Sequence, residues 1–122
     1  MKTPEQITNS LVKEFDKLND IREQSLKLSR EIIKSCSKSI RNVHRNNLDE
    51  AKQHLDEANK NYQDLRTSLK DIPELRFAGY VNDSERELIE AFLVFEFEKT
   101  NSLLEFEGMN VSASNYIQGL GD

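Results

Sequence analysis

Two glutamates lie three residues apart in the most apolar stretch of the chain. Glu87 and Glu90 belong to the segment that begins at Ser84 and reads SERELIEAFLVFEFEK. Residues three apart share one face of a helix, and apolar residues on every side predict that this helix is buried inside an assembly. Two buried carboxylates that converge repel each other, so they favour a bound proton or cation. Oxygen ligands suit Mg²⁺, with Mn²⁺ as the alternative, rather than zinc.

Two structural explanations compete with a metal site at these glutamates. Carboxylates in the first turn stabilise a helix through its dipole, which explains Glu85 and Glu87, and Glu90 less well, if the helix begins at one of the capping residues 82–84. A salt bridge from Glu90 to Arg86 or Lys38 is the second explanation. The residue pattern alone leaves all three interpretations open.

Six cations form a second candidate site, which we call the basic stripe. They recur every three or four residues and therefore follow one face of a helix: Lys27, Arg30, Lys34, Lys38, Arg41 and Arg45. With His44 beside them, they could follow a nucleic-acid backbone with little sequence readout. The alternative is a solvated face whose cations pair with acids of the next helix, namely Asp49, Glu50, Asp56 and Glu57. No aromatic residue for base stacking lies in segment 27–45, which weakens the binding interpretation.

A single long helix is predicted to carry the basic stripe. Thr3 is a suitable N-cap, with Pro4 at the first helical position and Gln6 three residues after the cap. Apolar residues then recur mostly every three or four positions up to Val43, and no helix breaker precedes Asn46. The pattern predicts a helix of roughly forty residues, far above the average for globular proteins.

The second helix is predicted from about Asp49 to Lys70. Because the link before it is short, the two helices should pack as an antiparallel hairpin. A connector over residues 75–81 follows, and its Phe77 and Tyr80 are expected to pack against that hairpin.

The third helix is predicted to begin at the capping residues 82–84, to carry the acidic pair and to end near Gly108. A fourth helix is predicted to begin after Ser112 or Ser114. No strand pattern is present, so the fold class is all-α, with long antiparallel helices in one domain spanning residues 1–122.

The composition is typical of helices that complete their burial in an oligomer. Apolar residues make up 36% of the chain and charged residues 32%. We therefore expect other chains to cover the apolar faces of the first and third helices. Cys36 is the only cysteine, and no signal segment or membrane-spanning run is present, which favours a reducing cytoplasm and no membrane partner.

Several segments, taken in order, resemble the translin/Trax family, and specifically its Trax side. KLSREI at 27–32 resembles the family's KLSRDI, and His44-Arg45 resembles the end of its Leu-His-Arg motif. RELIEA at 86–91 is similar to QEYVEA, and FEKTNSL at 97–103 to FIKTRSL. NYIQGLGD at 115–122 resembles Asp-Tyr-Leu-Leu-Gly-hydrophobic-Ala-Asp. The match covers most of the chain from about Leu26 onward.

The resemblance implies a helical bundle that assembles into hollow multimers holding single-stranded RNA or DNA. It implies that Trax-type subunits are Mg²⁺-dependent endoribonucleases, whereas translin-type subunits bind nucleic acid without the acids. Glu87 and Glu90 match the family's paired catalytic glutamates, and Asp122 matches an aspartate of a later helix. These three carboxylates would hold Mg²⁺. Lys38, His44 and Arg45 fall in the basic region that the family associates with RNA, while Arg30, Lys34 and Arg41 are binding candidates from the spacing of the stripe.

One departure from the family pattern limits this expectation. In the family, Gly-Glu-Leu and further helices follow the aspartate, whereas this sequence stops at Asp122. The expectation is a chain truncated at its C-terminal end, or one half of a split protein, with doubtful nuclease activity alone. The alternatives are a non-catalytic oligomer that binds single strands, with itself or with a translin-like subunit, and a helical scaffold.

Overall fold

Four helices make up the part of the chain that the computed structural model describes, which is the backbone of residues 1–106 and the side chains of residues 1–101. They are α1 (Pro4–His44), α2 (Leu48–Leu69), α3 (Pro73–Arg76) and α4 (Gly79–Phe106). No strand occurs within residues 1–106, which confirms the all-α fold class. None of these helices has the length and apolar character needed to cross a membrane.

Helix α1 confirms the predicted long helix and its N-terminal cap. The Thr3 hydroxyl accepts a hydrogen bond from the Gln6 amide at 3.2 Å, and the Gln6 side chain accepts one from the Thr3 amide at 3.0 Å. This reciprocal pair satisfies two amides that the helix itself leaves free. The helix then runs for 41 residues, or about 60 Å.

The turn after α1 folds the chain back on itself. Asn46 adopts a positive φ of 63°, a left-handed conformation that asparagine tolerates better than most residues. The Asn47 amide donates to the Asn42 carbonyl at 2.8 Å, and the Asn46 amide donates to the Val43 carbonyl at 3.0 Å. These bonds satisfy the last carbonyls of α1. Helix α2 returns along α1, where the buried Ser39 hydroxyl donates to the Ala51 carbonyl at 2.8 Å, and the predicted hairpin is confirmed.

Helix α4 packs against both members of the hairpin and completes a three-helix bundle. It runs antiparallel to α2, because Tyr62 contacts Glu85 while residues 52–59 and 88–96 face each other across a groove. The fully buried apolar residues at the centre come from all three long helices: Ile32, Cys36, Ala51, Ala58, Leu65, Leu69, Val81 and Ala91.

The start of α4 corrects the predicted third helix. The helix begins at Gly79, so residues 82–84 are not its caps. Ser84 is fully buried inside the helix, and its hydroxyl donates to the Tyr80 carbonyl at 2.9 Å. Burial of Val81 in the core explains the earlier start, because this residue packs as part of the helix. The predicted fourth helix lies outside the described residues.

The connector before α4 also differs from the prediction. It contains the short helix α3, which was not predicted. Tyr80 packs against the core as expected. Phe77 does not, because 72% of it is exposed beside the α3–α4 turn.

The first part of α1 extends beyond the bundle, and we call residues 4–20 the arm. Eighteen residues separate Ser39 from Ile21 and Ala51 from Leu69, so antiparallel packing brings the end of α2 beside Ile21. Every residue of the arm is exposed except Ser10, which is half-buried. The arm is about 25 Å of helix without a neighbour among the described residues.

Candidate nucleic-acid interface and acidic pair

The basic stripe lies on the outer face of α1, turned away from the other helices. The inner face is defined by its buried residues: Ser25, Ser29, Ile32, Ser35, Cys36, Ser39 and Val43. On the opposite side, Lys27, Arg30, Lys34, Arg41, His44 and Arg45 are exposed, and Lys38 is half-buried. The helix therefore presents its cations together as one solvent-facing surface.

No cation of the stripe forms a salt bridge within residues 1–101. Two of the acids expected to neutralise them have other neighbours. Asp56 pairs with Lys52 at 3.5 Å, and Glu57 lies 3.9 Å from His54. The pairing between α1 cations and α2 acids is therefore not found in the described part. The stripe remains open to anions from outside.

The acidic pair lies well inside α4, beyond its first turn. Because the helix begins at Gly79, its first turn contains no acidic residue, and the dipole explanation does not apply to Glu87. Arg86 pairs with Asp83 at 3.0 Å, and no salt bridge reaches Glu90 among the described side chains. Both structural explanations for the pair therefore lack support in residues 1–101.

The two acids differ in their surroundings. Glu87 is half-buried, whereas Glu90 is exposed. In the single chain α4 is not covered on every side, since Ile89, Phe92 and Leu93 are exposed beside Glu90, and its burial in an assembly stays a prediction. The pair therefore spans the edge of the interface with α1 instead of lying inside the core.

The buried thiol of Cys36 shows which way Glu87 faces. Burial, and to a smaller extent the negative charge of Glu87, raise the pKa of Cys36 from 9.0 to about 11. Because that effect requires proximity, Glu87 lies near the inner face of α1. Glu90 does not contribute to this shift.

Two of the three carboxylates predicted to hold Mg²⁺ lie among the described residues. Glu87 and Glu90 are oxygen donors one helical turn apart, which suits a hard cation. Within the described residues, no group of three or more His, Cys, Asp or Glu side chains is placed to hold a metal. The third predicted ligand, Asp122, lies outside the described residues.

The fold separates the basic stripe from the acidic pair within one chain. The stripe occupies the outer face of α1, and α4 with its acids packs near the inner face. A helix with its side chains is roughly 10–12 Å thick, so the body of α1 lies between them. A strand bound along the stripe would not touch the acids of the same chain.

A polar cluster that sequence reasoning missed fixes the start of α4. The Arg76 guanidinium lies 2.9 Å from Oε1 of Glu85, and the Tyr62 hydroxyl donates to the same oxygen at 2.7 Å. Burial raises the pKa of Tyr62, and its hydrogen bond to Glu85 raises it further. Glu85 was predicted as a helix-dipole residue, and nothing in the sequence links it to residues 62 and 76. The cluster joins α2, α3 and α4, and so holds the helix that carries the acidic pair.

Comparison with known proteins gives one informative similarity. A protein of Methanocaldococcus jannaschii, itself uncharacterized, is 34% identical to the chain over 116 residues. The alignment covers 93% of this chain but 51% of the relative, so the chain spans about half the length of that relative. No family model matches the chain, and no solved structure matches it. The similarity shows a relative but assigns no activity.

Proposed function

We propose that the chain is a cytoplasmic helical subunit that binds single-stranded RNA through the basic stripe of α1. The observation that carries the proposal is the stripe itself, with six cations on one outer face and no salt bridge to any described side chain. The segments that resemble the translin/Trax family support the same function, and include DNA as an alternative strand. They also support assembly with copies of itself or with a translin-like subunit.

The dimensions of the stripe suit a short stretch of phosphate backbone. Lys27 and Arg45 are eighteen residues apart, which corresponds to about 27 Å along the helix. Lysine and arginine contacts to phosphates release counterions, and each contact contributes a slope of about −0.7 to log K against log salt for a single strand. Four to six contacts therefore predict a slope of about −3 to −4.

Binding can be measured by the anisotropy of a labelled oligouridine across a salt series. Lys27→Glu/Lys34→Glu should weaken binding by more than about tenfold at low salt and flatten the slope by about 1–2. Lys60→Glu/Lys70→Glu is the matched control, because it changes the net charge equally at two exposed lysines, one within α2 and one at its C-cap. Equal losses in both variants would indicate a general charge effect. If the unmodified chain does not bind the oligonucleotide, the RNA-binding function is excluded and a helical scaffold is the remaining interpretation.

Mg²⁺-dependent cleavage of single-stranded RNA is a second candidate function. The specific observation is that Glu87 and Glu90 lie one turn apart, with neither a helix N-terminus nor a described salt bridge to explain them. A bound Mg²⁺ would neutralise the scissile phosphate and lower the pKa of an attacking water. Glu87, Glu90 and Asp122 would hold it. Because stripe and acids occupy different faces, the proposal requires the stripe of another chain to present RNA to these acids.

Cleavage is tested with labelled single-stranded RNA in Mg²⁺ or in EDTA. We expect Glu87→Gln/Glu90→Gln to abolish Mg²⁺-dependent cutting while RNA binding stays unchanged or becomes tighter, because two negative charges are removed. Asp49→Asn/Glu50→Gln removes two exposed acids of α2 and should leave cutting unchanged. Cutting that persists in EDTA, or in the Glu87/Glu90 variant, would exclude the acidic pair as the catalytic group.

A further inference from the structure

The arm carries an apolar stripe that nothing in the described part of the chain covers. Its members are exposed by 40–69%: Ile7, Leu11, Phe15 and Leu18. Their steps of four, four and three residues keep them on one side of the helix. Counted at 100° per residue, this is the same side as the inner face of the bundled part. The seam that α2 and α4 bury farther along α1 thus continues uncovered for about 25 Å.

The neighbours that cover the inner face cannot extend onto the arm. Helix α2 ends beside Ile21, and α4 begins at Gly79, after the turn that follows α2. From there α4 runs antiparallel to α2, and therefore away from the arm. A partner that covers the arm must offer an apolar helical face of similar length.

We propose that the arm pairs with the arm of a second copy of the chain, antiparallel and about a two-fold axis. Such a contact needs a self-complementary surface. An axis between Val12 and Lys13 places Ile7 level with Leu18 of the second copy, and Leu11 level with Glu14 and one residue from Phe15 of the second copy. Ile7 and Leu18 then meet at the two ends of the contact, and Leu11 and Phe15 of the two copies lie within one residue of each other near the axis. The charged residues of the arm lie to the sides or the back, except Glu14, which lies at the edge of the stripe and comes level with Leu11 of the second copy.

The length of the arm fits this arrangement at both ends. With full overlap, Pro4 of one copy comes level with Ile21 of the other, where the second bundle begins. The α3–α4 turn near that position carries Phe77, a further exposed apolar side chain at this end of the molecule. The first turn of the opposite arm would shield it. One contact therefore accounts for the arm stripe and for Phe77.

The size of the contact predicts a reversible dimer. Two helical faces about 25 Å long lie near the lower limit of roughly 1,000 Å² for a specific interface. We expect a dissociation constant on the order of micromolar. The basic stripe begins at Lys27, beyond the overlap and on the opposite face, so it remains open in the dimer. Dimerisation through the arm therefore stands apart from RNA binding, and each can fail without the other.

Sedimentation equilibrium over a concentration series tests the contact. Leu11→Glu should raise the dissociation constant by more than about tenfold, because it places a charge at the centre of the interface. Asn9→Glu introduces the same charge on the back of the arm and should change the dissociation constant by less than about twofold. Circular dichroism melting checks that the bundle of each variant is intact. A chain that stays monomeric to millimolar concentration, or a dimer that Leu11→Glu leaves unchanged, would overturn the proposal.

Disulfide trapping tests the antiparallel register. A mixture of Ile7→Cys chains and Leu18→Cys chains should form a cross-linked heterodimer, because these positions face each other across the axis. Ile7→Cys alone should not cross-link, since its two copies would be about eleven residues, or roughly 16 Å, apart along the helix. Cys36 is fully buried in every variant and does not compete. Efficient cross-linking of Ile7→Cys alone would show a parallel pair and contradict the two-fold arrangement.

Discussion

The arm and the bundled part of α1 belong to one continuous helix and share the same apolar periodicity, yet they meet different surroundings. The arm, residues 4–20, carries large apolar side chains that remain exposed. The bundled part, residues 21–44, is buried on its inner face and carries the cations on its outer face. Periodicity thus predicts that a segment is helical and which side is apolar. It does not predict what lies against that side.

Side-chain size separates the two parts more clearly than periodicity does. Four of the buried positions on the inner face of the bundled part are serines: Ser25, Ser29, Ser35 and Ser39. Small side chains let α2 and α4 approach α1 closely. Two of these serines donate hydrogen bonds to backbone carbonyls, Ser25 to that of Ile21 and Ser39 to that of Ala51. The arm stripe consists of isoleucine, leucine and phenylalanine. Its larger side chains suit a single facing helix better than a closely packed three-helix core.

The largest expected effect tests whether side chains of the bundled part contribute more to stability than side chains of the arm. Ile32→Ala should lower the free energy of unfolding by about 2–5 kcal/mol, because it leaves a cavity at a fully buried site. Phe15→Ala removes a larger side chain from the arm but should change the free energy of unfolding of the monomer by less than about 0.5 kcal/mol. Urea unfolding at low protein concentration measures both. Comparable losses would mean that the arm packs within its own chain, and would erase the difference between the two parts.

Most of the helical framework was predictable because its signals are local. The Thr3 cap, the Asn46 turn and the hairpin each depend on residues close together in sequence, and all are confirmed. The start of α4 was not predictable, because the capping residues 82–84 favour a later start. Only the burial of Val81 against the other helices decides the matter.

The candidate site was predictable in part for the same reason. The spacing of the cations places them on one face of a helix in any fold, and the structure puts that face outward. The difference between Glu87 and Glu90 depends on how α4 is rotated against α1, which no local pattern determines. The cluster of Tyr62, Glu85 and Arg76 likewise joins residues that only the fold brings together.

The smallest expected effect uses Cys36, a thiol that the bundled part contains and the arm lacks. Burial and Glu87 raise its pKa to about 11, so the folded state holds the thiol proton more tightly than the unfolded state does. Stability from this group is complete below pH 9 and declines as the pH rises towards 11. Glu87→Gln should lower the pKa of Cys36 while leaving it above 9.0, because burial is the larger cause. Thiolate absorbance against pH measures the shift.

Glu90→Gln is the matched control and should have little effect, since the exposed carboxylate of Glu90 is not a cause of the raised pKa of Cys36. A larger shift from Glu90→Gln than from Glu87→Gln would reverse the inward and outward assignment of the acidic pair.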